Sequence, residues 1–170
     1  KEEDLSNILW NYGEEYKSRK IAKKIVLERK KNKISSTHDL ANLIRKVKFQ
    51  KKPYRIHPAT KTFQALRIFV NNELVEIKNL IEDSINLMIP GARLVLISFH
   101  SIEDRLVKQT FNKLCEGKKA VNRHLPHTNS TAKPKFIKVG KSFCIPKEEE
   151  VLKNPRARSA KLRVIERVSI

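Results

Sequence analysis

A chain of 170 residues with 39% hydrophobic content is long enough to bury an ordinary core, and nothing in it approaches the ~20 apolar residues of a membrane span. Its charge is lopsided: 37 basic residues against 18 acidic ones give +19, which points to a polyanionic partner, nucleic acid ahead of an anionic membrane, unless a coding bias toward surface lysine has inflated it. The two cysteines, Cys115 and Cys144, belong to no CxxC or ligand array, so a metal centre is not expected and a reducing compartment with free thiols is.

The chain opens at Lys1 on KEEDLSNILW, which already reads as a helix in progress, and its only methionine is Met88. It is therefore expected to be a fragment or a processed form. Leu5, Ile8, Leu9 and Tyr12 fall at helical spacing, and Gly13 is placed to stop that helix. A second helix, Lys17 to Lys31, carries Ile21, Ala22, Ile25 and Val26 on an otherwise basic surface. Ser36 and Asp39 form a capping-box start for a third, with Leu40, Leu43, Ile44 and Val47 inward. From Lys17 to Lys52 there are 14 basic residues against two acidic ones, a net of +12, so most of the excess charge sits on these helices. Such a unit suits a phosphate backbone, although a solvated face accounts for a charge run equally well.

Prolines in KKPYRIHPATKTF disfavour helix and mark a linker. Thr60 or Thr62 then caps one long helix through Phe63, Leu66, Val70, Leu74, Ile77, Ile81 and Ile85, with Arg67 and Asn71 one turn apart on its polar side. Pro90-Gly91 ends it. Arg93 to Phe99 is almost continuously apolar, as in a parallel strand buried on both faces, and Ser101 onward switches to helical spacing with Ile102, Leu106, Thr110, Phe111 and Leu114 on one side. His100 and Ser101 thus stand at the carboxyl end of a strand, where open α/β sheets bind ligands. Ser101 with Glu103 and Asp104 is equally an ordinary helix cap. A polar loop follows from Gly117 to about Pro134; its His124 and His127 lack the further ligands zinc needs. A strand broken by Gly140, a short helix after Pro146 and a final strand close the chain. In that strand Leu162 and Val164 point one way and Lys161 and Arg163 the other. Arg156 and Arg158 precede it, able to hold phosphate or to bridge acidic neighbours.

With four glycines, Gly13, Gly91, Gly117 and Gly140, the chain has neither a GxGxxG nor a Walker A loop, and no HExxH or GxSxG occurs. The residues alone therefore define a basic α/β chain that touches nucleic acid.

Three blocks, HPATKTFQALRIFVNNEL, PGARLVLISFHSIEDRLVK and NPRARSAKLRVIER, together with NYGEEYKSRKIAKKIV and STHDLANLI, resemble the bacterial small-subunit (16S) rRNA cytosine-N4 methyltransferase family, over its C-terminal half. The resemblance implies an α/β fold: the C-terminal portion of a class I, Rossmann-like methyltransferase domain (residues 53–170) plus part of a helical, RNA-binding insertion (residues 1–52). It implies S-adenosylmethionine as cofactor of the parent protein, whose glycine-rich loop, acidic ribose-binding residue and main catalytic motif lie upstream in family members and are not in this chain. Its 16S rRNA or small-subunit partner would be met in the bacterial cytoplasm, or in an organelle, with no membrane and no metal. Ser98, Phe99, His100 and Ser101 match the family's ISFHS turn and would form one wall of the pocket, Phe99 as a stacking surface or as core, and His100 as a hydrogen-bonding group. Glu103, Asp104 and Arg105 continue the match. Arg67, Asn71, Arg156 and Arg158 would contact RNA or brace the structure. Lys61 and Ala92 depart from the family's usual Arg and Gly, the latter tolerable only at negative φ. A different class of protein, a non-catalytic basic RNA-binding or ribosome-associated protein lacking the enzyme half, fits the same composition.

Overall fold

The computed structural model describes residues 1–49, 56–116 and 134–169. Part of the proline-rich linker and the loop bearing His124 and His127 lie outside them. The chain forms two compact units, Lys1–Glu73 and Leu74–Ile170.

The first unit is four helices: α1 (Glu2–Gly13), α2 (Ser18–Lys31), α3 (Thr37–Val47) and α4 (Thr60–Val70). Acidic Glu2, Glu3 and Asp4 open α1, and Arg29, Lys30 and Lys31 close α2, both in favourable sense for the helix dipole. The expected capping box of α3 is present in both directions, Asp39 N–H donating to Ser36 Oγ at 3.1 Å and Ser36 N–H to Asp39 Oδ2 at 3.2 Å. Leu9, Ile21, Ile25, Leu43, Ile44, Ala59 and Ala65 form the core. Beside it Glu15, fully buried, accepts from Lys48 Nζ at 2.8 Å and from the Lys17 backbone N–H at 3.3 Å, tying the α1–α2 turn to the end of α3.

Gly13 serves a purpose other than the expected one. It is the last residue of α1, and the left-handed position after it is taken by Glu14, at φ 49°. A Cβ on Gly13 would stand 2.6 Å from the Lys61 carbonyl oxygen, so the glycine is there because α4 crosses α1 at that point. Lys61, on the same turn, donates from Nζ to the Glu14 carbonyl at 3.2 Å.

The single helix expected from Thr60 onward is two. Neither Thr60 nor Thr62 caps it: the N-cap is Ala59, and Thr60 Oγ1 donates to the His57 carbonyl at 2.8 Å. The helix breaks at Asn71 and Asn72, the latter left-handed at φ 53°, a conformation asparagine tolerates. Its second part is α5 (Glu73–Leu87). An unbroken apolar stripe concealed the break because its two halves belong to different cores, Ala65 to that of the first unit and Ile77, Ile81 and Ile85 to that of the second.

In the second unit, strands β1 (Arg93–Ser98), β2 (Phe136–Lys138) and β3 (Lys161–Arg167) form an antiparallel sheet in the order β1-β3-β2, and α6 (Ser101–Cys115) follows β1. A short helix α7 (Glu148–Lys153) and a 3₁₀ turn (Pro155–Ser159) lead into β3. The expectation of a parallel β1 buried on both faces is corrected: β1 pairs antiparallel with β3, Val95 opposite Val164 and Leu96 opposite Arg163. Leu94 and Leu96 face the core built by Ile81, Val107, Phe111, Phe136 and Ile165. The alternate residues Val95 and Ile97 remain 48% and 56% exposed, as does Ile137 at 43%. A continuous apolar run hides this asymmetry, since both faces are written in the same residue types. Gly91, at φ 84°, makes the turn into β1, and Ala92 stays out of positive φ.

Gly13→Ala separates close approach from helix propensity. Propensity alone favours alanine by up to ~1 kcal/mol. The crossing predicts a loss of ~1–3 kcal/mol in urea unfolding.

Candidate functional site

The polar turn at the carboxyl end of β1 is built from reciprocal backbone bonds. His100, in extended conformation, is the N-cap of α6, and its Nδ1 accepts the Glu103 N–H at 3.3 Å. Glu103 returns the bond, Oε2 accepting the Phe99 N–H at 3.0 Å. The arrangement is like a capping box, with imidazole in place of the usual hydroxyl and the Glu103 carboxylate reaching the residue before the cap, so the cap is His100 and not Ser101, which is the first residue of the helix. His100 Nε2 stands 3.0 Å from Glu103 Oε1. Burial works to raise the Glu103 carboxyl, and the bonds and charge of His100 together with the Phe99 N–H overcome it, leaving the carboxyl below its ordinary value.

The four residues of the turn do different things. Ser98 is buried, its Oγ donating to the Lys161 carbonyl at 3.4 Å, which fastens the end of β1 to β3. Phe99 is 56% exposed and stands outside the core. His100 is half-buried and Ser101 exposed. The outcome is an exposed aromatic ring beside a half-buried imidazole, both held by a strand end and a helix start.

Sequence reasoning missed what positions this turn. Asp104, one turn into α6, is buried and grips β3: Arg163 donates from Nε to Oδ1 at 2.8 Å and from its terminal nitrogen to Oδ2 at 3.1 Å, and Lys161 Nζ donates to Oδ2 at 3.1 Å. Arg163 also donates to the Ser142 carbonyl at 2.6 Å. Phe143 lies against both cations, 5.2 Å from Lys161 Nζ and 5.4 Å from the Arg163 guanidinium carbon. Burial raises the Asp104 carboxyl, but the bonds and charges of Arg163 and Lys161 prevail and hold it below its usual range. The signal was in the sequence. Asp104 shares the helical phase of Val107 and Phe111, and Lys161 and Arg163 share the strand phase of Ile165. The charged side of β3 is therefore the covered one.

Arg67 forks onto Glu73 at 2.7 and 2.9 Å, and Asn71 Nδ2 donates to the same carboxylate at 3.4 Å, bracing the α4–α5 break. Arg156 and Arg158 are exposed on the 3₁₀ turn, which Asn154 caps by accepting the Arg156 N–H at 3.2 Å. Burial pushes the Cys115 thiol up against the pull of Lys138, as expected of an unreactive cysteine. No helix among the described residues is long and apolar enough to cross a membrane.

A strand, a polar turn and a helix locked to a late antiparallel strand make up this end of the sheet. The sequence matches the profile of the MraW methylase family over residues 1–168, and the chain belongs to that family. It is 44% identical over 164 residues to the ribosomal RNA small subunit methyltransferase H of Ehrlichia chaffeensis, covering 96% of this chain and 52% of the relative. With the protein of the same name from Bradyrhizobium diazoefficiens it shares 47% over 170 residues, 99% and 50% of the two. The one from Coxiella burnetii is 42% identical over 167 residues, 98% and 53%. The chain spans about half the length of these curated relatives.

Removing Asp104 strands a buried guanidinium, so Asp104→Ala is expected to lose ~3–5 kcal/mol at neutral pH in urea unfolding. The folded-state carboxyl titrates below the unfolded one. Its contribution is thus complete above about pH 4 and lost as pH falls through the folded value. The variant should lack that part of the acid destabilisation.

Proposed function

We propose that this chain is the C-terminal part of an S-adenosylmethionine-dependent enzyme that methylates the N4 of a cytosine in 16S rRNA, acting on the small ribosomal subunit in the bacterial cytoplasm. The observation that carries the reading is the family match along the whole chain, with its ISFHS block standing at the carboxyl end of β1. In this reading residues 1–52 belong to an RNA-binding insertion and residues 53–170 to a class I methyltransferase domain. The exposed edge and the open Val95–Ile97 face of β1 support it, because unpaired strand edges and apolar sheet faces are what the rest of a Rossmann-like sheet covers.

The donor, when bound, supplies an electrophilic methyl group. This chain's residues do not fit that group by themselves, since the sequence holds no glycine-rich motif to cradle its ribose. What they fit is the other side of the reaction. A cytosine taken from its stack needs a flat surface and fixed orientation before its amino nitrogen can meet a methyl in line. Phe99 offers the surface. His100 and Glu103 are positioning residues that fix the Phe99 backbone, and Asp104 fixes the helix that carries them. Arg156 and Arg158, exposed, are proposed to meet RNA phosphate, and Arg67 and Asn71 to do so from the edge of the α4–α5 brace.

The test joins residues 1–170 to the N-terminal half of the Ehrlichia chaffeensis relative and measures methyl transfer to small-subunit rRNA. The joined protein is expected to be active, and residues 1–170 alone inactive. Loss of one stacking surface, Phe99→Ala, should lower the joined protein's activity about tenfold or more. RNA binding without methyl transfer by a folded joined protein would favour the non-catalytic RNA-binding reading instead.

A further inference from the structure

Between α1 and α2 the first unit has a concavity of about 590 Å³ walled by Trp10, Tyr16, Lys17, Arg19 and Lys20. Its floor is already assembled, with the buried Ser6 and Ser18 hydroxyls meeting at 3.5 Å across the two helices. Its two rings are out of place for a folding core: Trp10, the only tryptophan of the chain, is 57% exposed and Tyr16 68%. Burying such rings is among the larger stabilising terms open to a small unit, and here they are left on the surface. Of the cations beside them, Lys17 is engaged locally, its Nζ donating to the Val47 carbonyl at 3.4 Å and lying over the Tyr16 ring. Arg19 and Lys20 stand at the amino end of α2, where the helix dipole favours negative charge and no acidic residue occupies the first turn.

We propose that this concavity is a binding site for single-stranded RNA, in which an unpaired base stacks on the indole of Trp10 while Arg19 and Lys20 hold the flanking phosphates. The inference rests on the reading of residues 1–52 as an RNA-binding unit and assigns its contact point. Trp10 is the platform rather than Tyr16, because Tyr16 already has Lys17 and Lys48 ammonium groups 5.8 and 5.9 Å from its ring centre. Those cations also fix the tyrosine as a wall, since Lys48 is itself locked onto buried Glu15. Exposed π-faces beside cations are the chemistry of base stacking with backbone neutralisation. An acidic peptide would use the cations and leave the indole idle.

Trp10 reports on its own site, being the single indole in the chain. Residues 1–170 are titrated with an unstructured oligoribonucleotide, with an abasic oligomer of equal length, and with anionic vesicles, following tryptophan emission and binding together. The oligoribonucleotide is expected to quench Trp10, and the abasic strand to bind more weakly without quenching. Trp10→Ala should weaken RNA binding about tenfold, with Trp10→Phe restoring most of it. Arg19→Ala with Lys20→Ala should lower the salt slope by about 1.4. RNA binding with unchanged emission and an undiminished Trp10→Ala variant would overturn this site while leaving the wider RNA-binding reading in place. No RNA binding at all would remove both. Quenching by vesicles and not by RNA would assign the surface to a membrane and overturn the proposal.

Discussion

The second unit depends on one carboxylate. Asp104 receives two bonds from Arg163 and one from Lys161, and through them α6 is fixed to the middle strand of the sheet. Three charged side chains are costly on the covered side of a sheet unless each is matched, and here the geometry is bidentate and the remaining guanidinium nitrogen finds a backbone carbonyl. Burial alone would hold the Asp104 carboxyl up; pairing with Arg163 and Lys161 outweighs it and holds the carboxyl below its usual range. A hydrophobic replacement could supply the same packing energy. What the ion cluster adds is register, since Asp104 can satisfy Arg163 only with α6 in one phase and β3 in one alignment.

That register determines where the polar turn stands. His100 and Glu103 lie within the first turn of the same helix, and their mutual bonds with the backbone fix Phe99 at the strand's end. Asp104 is therefore coupled to the exposed ring through less than one helical turn, although it never approaches it as a ligand group. The same alignment dictates the sheet's asymmetry. With Arg163 and Ile165 turned to the helices, Leu162 and Val164 join Val95 and Ile97 on the other face. The proposed function gives that face and the free edge of β1 an occupant, in the half of the family's length that these residues do not supply.

Much of this was legible in the residues. The capping box at Ser36 and Asp39, the strand-to-helix switch at residues 99–101 and the final strand follow from local chemistry, which the sequence displays directly; the antiparallel pairing of that strand does not. The failures share one cause: local patterns do not state which neighbour they serve. Gly13 reads as a helix stop and is a crossing point. The stripe from Phe63 to Ile85 reads as one helix and divides at Asn72 between two cores. The apolar run of β1 reads as doubly buried and, within these residues, is covered on one side, the other being the face that the proposed function covers. At the site, ISFHS was visible as a turn, but the cap passed from Ser101 to His100 because imidazole is rarely read as a capping group. Asp104 was hidden in a run of acidic helix-start residues, where a dipole explanation was already sufficient. Nothing in the local pattern singles out Trp10 and Tyr16; only their exposure does.

Hydrogen exchange along β1 tests the central claim most directly, that this strand is an interior member of a larger catalytic sheet. In residues 1–170 alone, the β1 amides pointing away from β3 should exchange freely. Joined to the N-terminal half of a relative, the same amides should become protected to the level of those bonded to β3. Equal exchange in the two proteins, with the joined one folded, would contradict the claim and leave β1 a true edge.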